Sequence, residues 1–158
     1  MHVSNLTAAL LAAAFATLAA APPAFAQAAS APANDVAAKS AKEPGAVVTA
    51  SGLVYRSLKD GSGPSPKASD VVKVHYRGTF PDGKEFDSSY SRNAPTEFPL
   101  DRVIKCWTEG VQRMKVGGKA KLTCPAAIAY GARGTPGGPI PPNATLLFEV
   151  ELLAVTPR

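Results

Sequence analysis

The chain has 158 residues, with 17 basic and 12 acidic side chains, a net charge of +5 and 46% hydrophobic residues, so it holds one ordinary domain and leaves little room for a second. Two cysteines and two histidines are too few, and too scattered, for a metal-ligand cluster, and no metal site is expected. Lys115, Lys119 and Lys121 fall close together, but no aromatic residue is interleaved with them, so no nucleic-acid partner is expected.

In chain order, Leu6 to Ala21 is an apolar, small-residue run broken by Thr7 and Thr17, followed by Pro22-Pro23 and Ala24-Phe25-Ala26. This is the apolar region and A-x-A exit of a secretory signal over residues 1–26, with cleavage between Ala26 and Gln27. His2 stands where such a signal usually carries Lys or Arg. The run is shorter than the ~20 residues a bilayer demands, so no stable membrane insertion is expected once the signal is removed. Residues 27–50 are mainly Ala, Ser and Pro with scattered charge; they bury too little surface to offset ordering entropy and are expected to form a flexible leader. The predicted location is outside the cytoplasm, periplasmic or secreted.

From residue 51 to 158 the pattern is that of a folded domain. Leu53-Val54-Tyr55 opens a strand, and Asp60 to Pro66 is a loop. Val72, Val74, Tyr76 and Phe80 alternate with Lys73, His75, Arg77 and Thr79, the period of a strand buried on one side. Pro81-Asp82-Gly83-Lys84 reads as a turn leading into Glu85-Phe86-Asp87, a hairpin. Ile104, Trp107, Val111 and Met114 lie on one stripe of a helix predicted between Val103 and Met114 and ended by Gly117-Gly118. Ala120, Leu122 and Cys124 mark another strand, and Leu146, Phe148, Val150 and Leu152 a last one. Many short strands and one amphipathic helix imply an α+β fold with an antiparallel sheet wrapped on that helix. In an exported chain the pair Cys106 and Cys124 reads first as a disulfide, worth roughly 3 kcal/mol on a loop-entropy model. Two separately buried thiols are the alternative.

The usual catalytic sets are absent: there is no G-x-S-x-G elbow and no H-E-x-x-H, and Gly117-Gly118 lacks the rest of a phosphate loop. Asp87 has no second carboxylate near it in sequence and has Arg92 close by, so a salt bridge is as good a reading as an acid or base. What remains is aromatic. Tyr76, Phe86, Trp107, Tyr130 and Phe148 come one from each main element, and they form either a plain core or the lining of an apolar pocket.

Three segments in order, VKVHYRGTFPDGKEFDSS (Val72 to Ser89), VIKCWTEGVQRMKVGGKAKLTCP (Val103 to Pro125) and AYGARGTPGGPIPPNATLLFEVELL (Ala129 to Leu153), resemble the FK506-binding-protein (FKBP) type of peptidyl-prolyl cis-trans isomerase, in its small exported bacterial form. The resemblance runs from Gly52 to the C-terminus. It implies a half-barrel of antiparallel strands around one short helix, and a pocket with Trp107 as floor and Tyr76, Phe86, Val103, Ile104, Tyr130 and Phe148 as walls. It makes Asp87 the polar wall residue, gives the Ile104 N–H and the Tyr130 hydroxyl as donors, and puts Ile140 at the tip of an overhanging loop. Thr96 stands where many members carry an aromatic, Thr135 departs in the loop, and Gly138-Pro139 lengthens it. The implied activity is rotation of Xaa-Pro bonds in folding exported proteins, by a monomer without a cofactor and with macrolides of the FK506 and rapamycin type as further ligands. A chaperone that holds unfolded chains in the same groove without catalysis is the alternative.

Overall fold

The computed structural model describes residues 33–158; the expected signal segment, 1–26, lies outside the described residues. Helix α1 (Ala33–Ala41) leads to strands β1 (Ala46–Val48), β2 (Val54–Lys59), β3 (Val71–Thr79), β4 (Glu85–Ser88) and β5 (Thr96–Pro99). Helix α2 (Lys105–Gln112) and strands β6 (Lys119–Cys124) and β7 (Leu146–Thr156) complete the chain. One antiparallel sheet runs in the order β1-β2-β6-β7-β3-β4, with β5 added beside the first half of β3 (Val71 to Val74). The sheet does not close into a barrel.

The alternation in the sequence sets which face of this sheet is dry. Val72, Val74 and Tyr76 on β3, Ala120, Leu122 and Cys124 on β6, and Phe148, Val150 and Leu152 on β7 are all buried, while Lys73, Arg77 and Glu149 between them are exposed. The hairpin after β3 is closed by hydrogen bonds from Phe80 N to Lys84 O and from Gly83 N to Phe80 O, with Gly83 at a φ of 88° that its missing side chain permits.

Helix α2 crosses the buried face and is shorter than its apolar stripe suggests. Leu100–Arg102 forms a separate 3-10 turn, and Val103 and Ile104 are extended, so the helix begins only at Lys105. The Thr108 hydroxyl donates to Leu100 O at 2.6 Å and fastens that approach to the helix. Met114 is still buried because the turn after Arg113 tucks it under. A Cβ on Gly110 would stand 2.8 Å from Leu122 Cδ2, so any larger residue would force Leu122 to shift or α2 away from β6. Cys106 of α2 and Cys124 of β6, both fully buried, are joined in a disulfide across that contact, with Cα atoms 5.8 Å apart.

Over residues 33–48 the structure differs from the expected flexible leader and adds a second helix to the one expected; residues 27–32 of that leader lie outside the described residues. Residues 33–48 form α1 and β1, and β1 extends the sheet edge along β2 from Ala46 opposite Arg56 to Val48 opposite Val54. What fixes the segment is charge and backbone pairing, neither of which leaves a hydrophobic pattern. The Glu43 carboxylate accepts from Lys121 Nζ at 2.7 Å and from Arg56 Nη1 at 2.8 Å, and Arg56 Nε donates to Pro44 O at 3.0 Å.

The Lys121 hydrogen bond first, then that of Arg56, outweighs partial burial and holds the Glu43 carboxyl below its usual value of 4.5. A carboxyl lowered in the folded state stabilises the fold fully above its unfolded value and loses that contribution as pH falls through the folded one. Glu43→Gln should therefore cost about 0.5–1 kcal/mol at neutral pH, as measured by urea unfolding. The gap between parent and variant should close as the pH is taken below 4.5.

Candidate functional site

The open end of the concave face holds a cavity of about 450 Å³, within the range of small-ligand sites. Trp107, on the first turn of α2 and 4% exposed, lies at its base. Three rings from three strands meet the indole nearly at right angles: Tyr76 of β3 at 5.2 Å, Phe98 of β5 at 5.5 Å and Phe148 of β7 at 5.5 Å between centroids. Phe86 of β4 continues the wall, edge-on to Phe148 at 5.6 Å. Gly78 makes this possible, because a Cβ there would stand 2.6 Å from Phe86 Cζ and 3.0 Å from Phe148 Cε1. Val103 and Ile104 line the cavity from the extended approach to α2, and the Trp107 Nε1–H is buried without an acceptor among the described residues.

The polar part of the lining is a closed set. Tyr76 Oη donates to Asp87 Oδ2 at 2.5 Å, Arg92 Nη1 donates to Asp87 Oδ1 at 2.6 Å, and Arg92 Nη2 donates to Tyr76 Oη at 2.9 Å. Burial works to raise the Asp87 carboxyl, but the Tyr76 and Arg92 hydrogen bonds outweigh it and hold it below the usual carboxylate range. Burial, then the Asp87 charge, pushes the Tyr76 and Tyr130 hydroxyls above the usual tyrosine value. Beneath this set Ser89, fully buried, accepts the Tyr76 backbone N–H at 2.8 Å and pins that part of β3. Arg102 also lines the cavity and, among the described residues, makes no ion pair, so it is the one charge there without a counter-charge.

Tyr130 opens the loop between β6 and β7 and lines the cavity while remaining 39% exposed. The loop is drawn in by Thr135, whose N–H donates to Ile140 O at 2.9 Å and whose hydroxyl accepts the Ile140 N–H at 3.0 Å. Ile140 is consequently not at the tip of the loop but buried on its returning limb, beside a smaller cavity that shares Phe86, Asp87 and Tyr130 with the larger one.

Of the residues singled out in the sequence, Tyr76, Phe86, Asp87, Val103, Ile104, Trp107, Tyr130 and Phe148 surround one cavity, and Ile140 stands beside it. Sequence reading missed Phe98 and Arg102. Thr96 pairs with Val74 and leaves its end of β5 without a ring, while Phe98, two residues on and therefore on the same face, provides one. The alternation of Thr96 and Phe98 about the exposed Glu97 was the available signal.

The family model described as FKBP-type peptidyl-prolyl cis-trans isomerase matches residues 63–153, which contain every lining residue of this cavity. The chain belongs to that family. It is 55% identical over 119 residues to the FKBP-type peptidyl-prolyl cis-trans isomerase FkpA of Escherichia coli, a match covering 75% of this chain and 43% of FkpA. The crystal structure of FkpA superposes with a TM-score of 0.77 at 52% identity, covering 80% of this chain and 59% of that one. The peptidyl-prolyl isomerase of Pseudomonas syringae superposes with a TM-score of 0.74 at 41% identity, covering 79% of this chain and 91% of that one. The match thus spans less than half the length of the full FkpA protein.

Proposed function

We propose that the chain catalyses cis-trans isomerisation of Xaa-Pro peptide bonds in unfolded or nascent proteins. The observation that carries this is the cavity itself: an indole base ringed by Tyr76, Phe98 and Phe148, with its carboxylate already matched by Arg92 and Tyr76. Amide resonance sets a barrier of roughly 18–20 kcal/mol to the rotation. The twisted transition state has lost that resonance and part of the carbonyl's polarity, so it gives up water more readily than the planar amide. A dry aromatic cavity that grips the proline ring binds the twisted form better than the planar one. A preference of about 5–7 kcal/mol yields four to five powers of ten in rate.

In this reading Trp107 is the floor on which proline rests, and Phe86, Val103 and Phe148 are the walls. The Ile104 N–H and Tyr130 hydroxyl hold the carbonyls of the bound peptide. Asp87, locked by Tyr76 and Arg92, is a shaped wall and moves no proton. Ile140 supports the loop that carries Tyr130. Macrolides of the FK506 and rapamycin type are further ligands of the same cavity in this reading. One copy of the chain contains the whole cavity, so a monomer suffices. An exported location is supported by the apolar run of residues 6–21 with its Ala24-Phe25-Ala26 exit, and by the disulfide between Cys106 and Cys124.

A protease-coupled peptide assay should show acceleration by the parent. Phe98→Ala should lose about tenfold in kcat/KM through the missing ring contacts, with fold retention checked by circular dichroism. Because the Asp87 carboxyl is held low and the Tyr76 and Tyr130 hydroxyls high, kcat/KM should stay flat between about pH 5 and 9. Folded protein that suppresses aggregation but accelerates no peptide would contradict the reading.

Arg102 adds a preference among substrates. Peptides with Glu before proline should be turned over about two- to fivefold better than their Lys counterparts at low salt, and Arg102→Glu should reverse that order. Equal rates for the two peptides in parent and variant would remove Arg102 from substrate choice.

A further inference from the structure

On the side of the sheet edge away from the aromatic cavity, a second hollow of about 270 Å³ lies between β2, the loop after it, and the turn from α2 into β6. Lys59, Arg113, Lys115 and Lys119 line it, with Asp60 as its one acidic lining residue. Lys59 and Lys119 are direct cross-strand partners in the β2–β6 register, a like-charge pairing that costs stability. The carboxyl end of α2 carries only about half a unit of negative charge, so it offsets Arg113 and Lys115, which follow the last helical residue, only in part, and the two strand lysines not at all.

The counter-charges do not close. Lys119 has Glu149 at 3.6 Å, and Asp60, which accepts the Ser57 hydroxyl at 2.6 Å, can offset one more cation. Among the described residues no ion pair is made by Lys59, Arg113 or Lys115, so Asp60 and the end of α2 together leave positive charge uncompensated. The walls are held in place by backbone. Gly63 N donates to Val116 O at 3.1 Å, Val116 N to Pro64 O at 3.1 Å, and Gly117 N to Leu152 O at 2.8 Å. Tyr55 and Ser57 line the same hollow, the Ser57 hydroxyl already donated to Asp60 and that of Tyr55 left as a donor.

We propose that this hollow is a phosphate-binding site, separate from the isomerase cavity, which takes a dianionic phosphate group. Uncompensated cations beside the Tyr55 hydroxyl suit the several acceptor oxygens of a phosphate dianion better than those of a lone carboxylate. The group is carried either by a soluble phosphate compound or by a lipid headgroup. The site joins β2 to the turn leaving α2, so its occupant bridges the sheet edge and the helix that bears Trp107.

The test uses the full chain labelled with 15N, titrated with inorganic phosphate, with acetate at matched ionic strength as control. Separately, the chain is sedimented with phosphatidylcholine vesicles that contain or lack phosphatidic acid. Saturable shifts at Ser57, Gly61 and Gly118 with phosphate but not acetate indicate a soluble source. Sedimentation that requires phosphatidic acid indicates a headgroup. In either case Lys59→Gln and Arg113→Gln should each weaken binding about two- to fivefold while peptide isomerisation stays at the parent level. Binding by neither probe, shifts spread over remote lysines such as Lys73 and Lys84, or binding unaltered in both variants overturns the proposal.

Discussion

The edge-to-face packing of Trp107 against Tyr76, Phe98 and Phe148 is the contact on which the rest of the molecule depends. Each ring comes from a different strand, so the indole can sit at the base of the cavity only if β3, β5 and β7 keep their register and curvature. The helix that carries it is held down twice, by the fit of Gly110 against Leu122 and by the disulfide from Cys106 to Cys124. Such ring pairs contribute about 0.5–1.5 kcal/mol each beyond burial, enough to set the shape of one end of a small domain. Core and binding site are therefore one structure: the last layer of the core is left uncovered, and that layer is the cavity.

The charges follow from the same arrangement. A carboxylate on the wall of an apolar cavity would keep water there, and Asp87 avoids this by accepting from Tyr76 and Arg92 together. Arg92 in turn lies 5.7 Å over the Tyr76 ring, so a single guanidinium fixes both the acid and the aromatic. Its acid is occupied and the lining holds no second acid among the described residues, which is the arrangement the proposed turnover without proton transfer asks for. Arg102 is the exception, a lining cation that makes no ion pair among the described residues.

Features repeated along the chain were legible in the sequence. The alternation in Val72, Val74 and Tyr76 and the stripe of Trp107, Val111 and Met114 each report one dry face; β3 lies where its pattern puts it, and α2 covers the middle of its stripe, with Met114 buried just beyond its end. The family resemblance then gathered most of the cavity lining from separate segments, which periodicity alone left as either core or pocket. Features that depend on a single contact through space were not legible. Residues 33–48 looked too polar to order, yet Glu43 reaches both Arg56 and Lys121 across β2 and β6. Phe98 was overshadowed by Thr96, where an aromatic had been anticipated, and Ile140 turned inward because Thr135 closes the loop on both its backbone groups. Lys115, Lys119 and Lys121 were visible as a basic cluster, but not that β2 would set Lys59 opposite Lys119.

The central claim is that the peptide bond turns in a desolvated aromatic box without proton transfer. The solvent isotope effect on kcat/KM, compared in H2O and D2O for one neutral Xaa-Pro peptide, tests it most directly. The account predicts a ratio close to unity, unchanged in Asp87→Asn once binding is matched. A normal isotope effect well above unity that disappears in Asp87→Asn or Tyr130→Phe would show a proton in flight and contradict it.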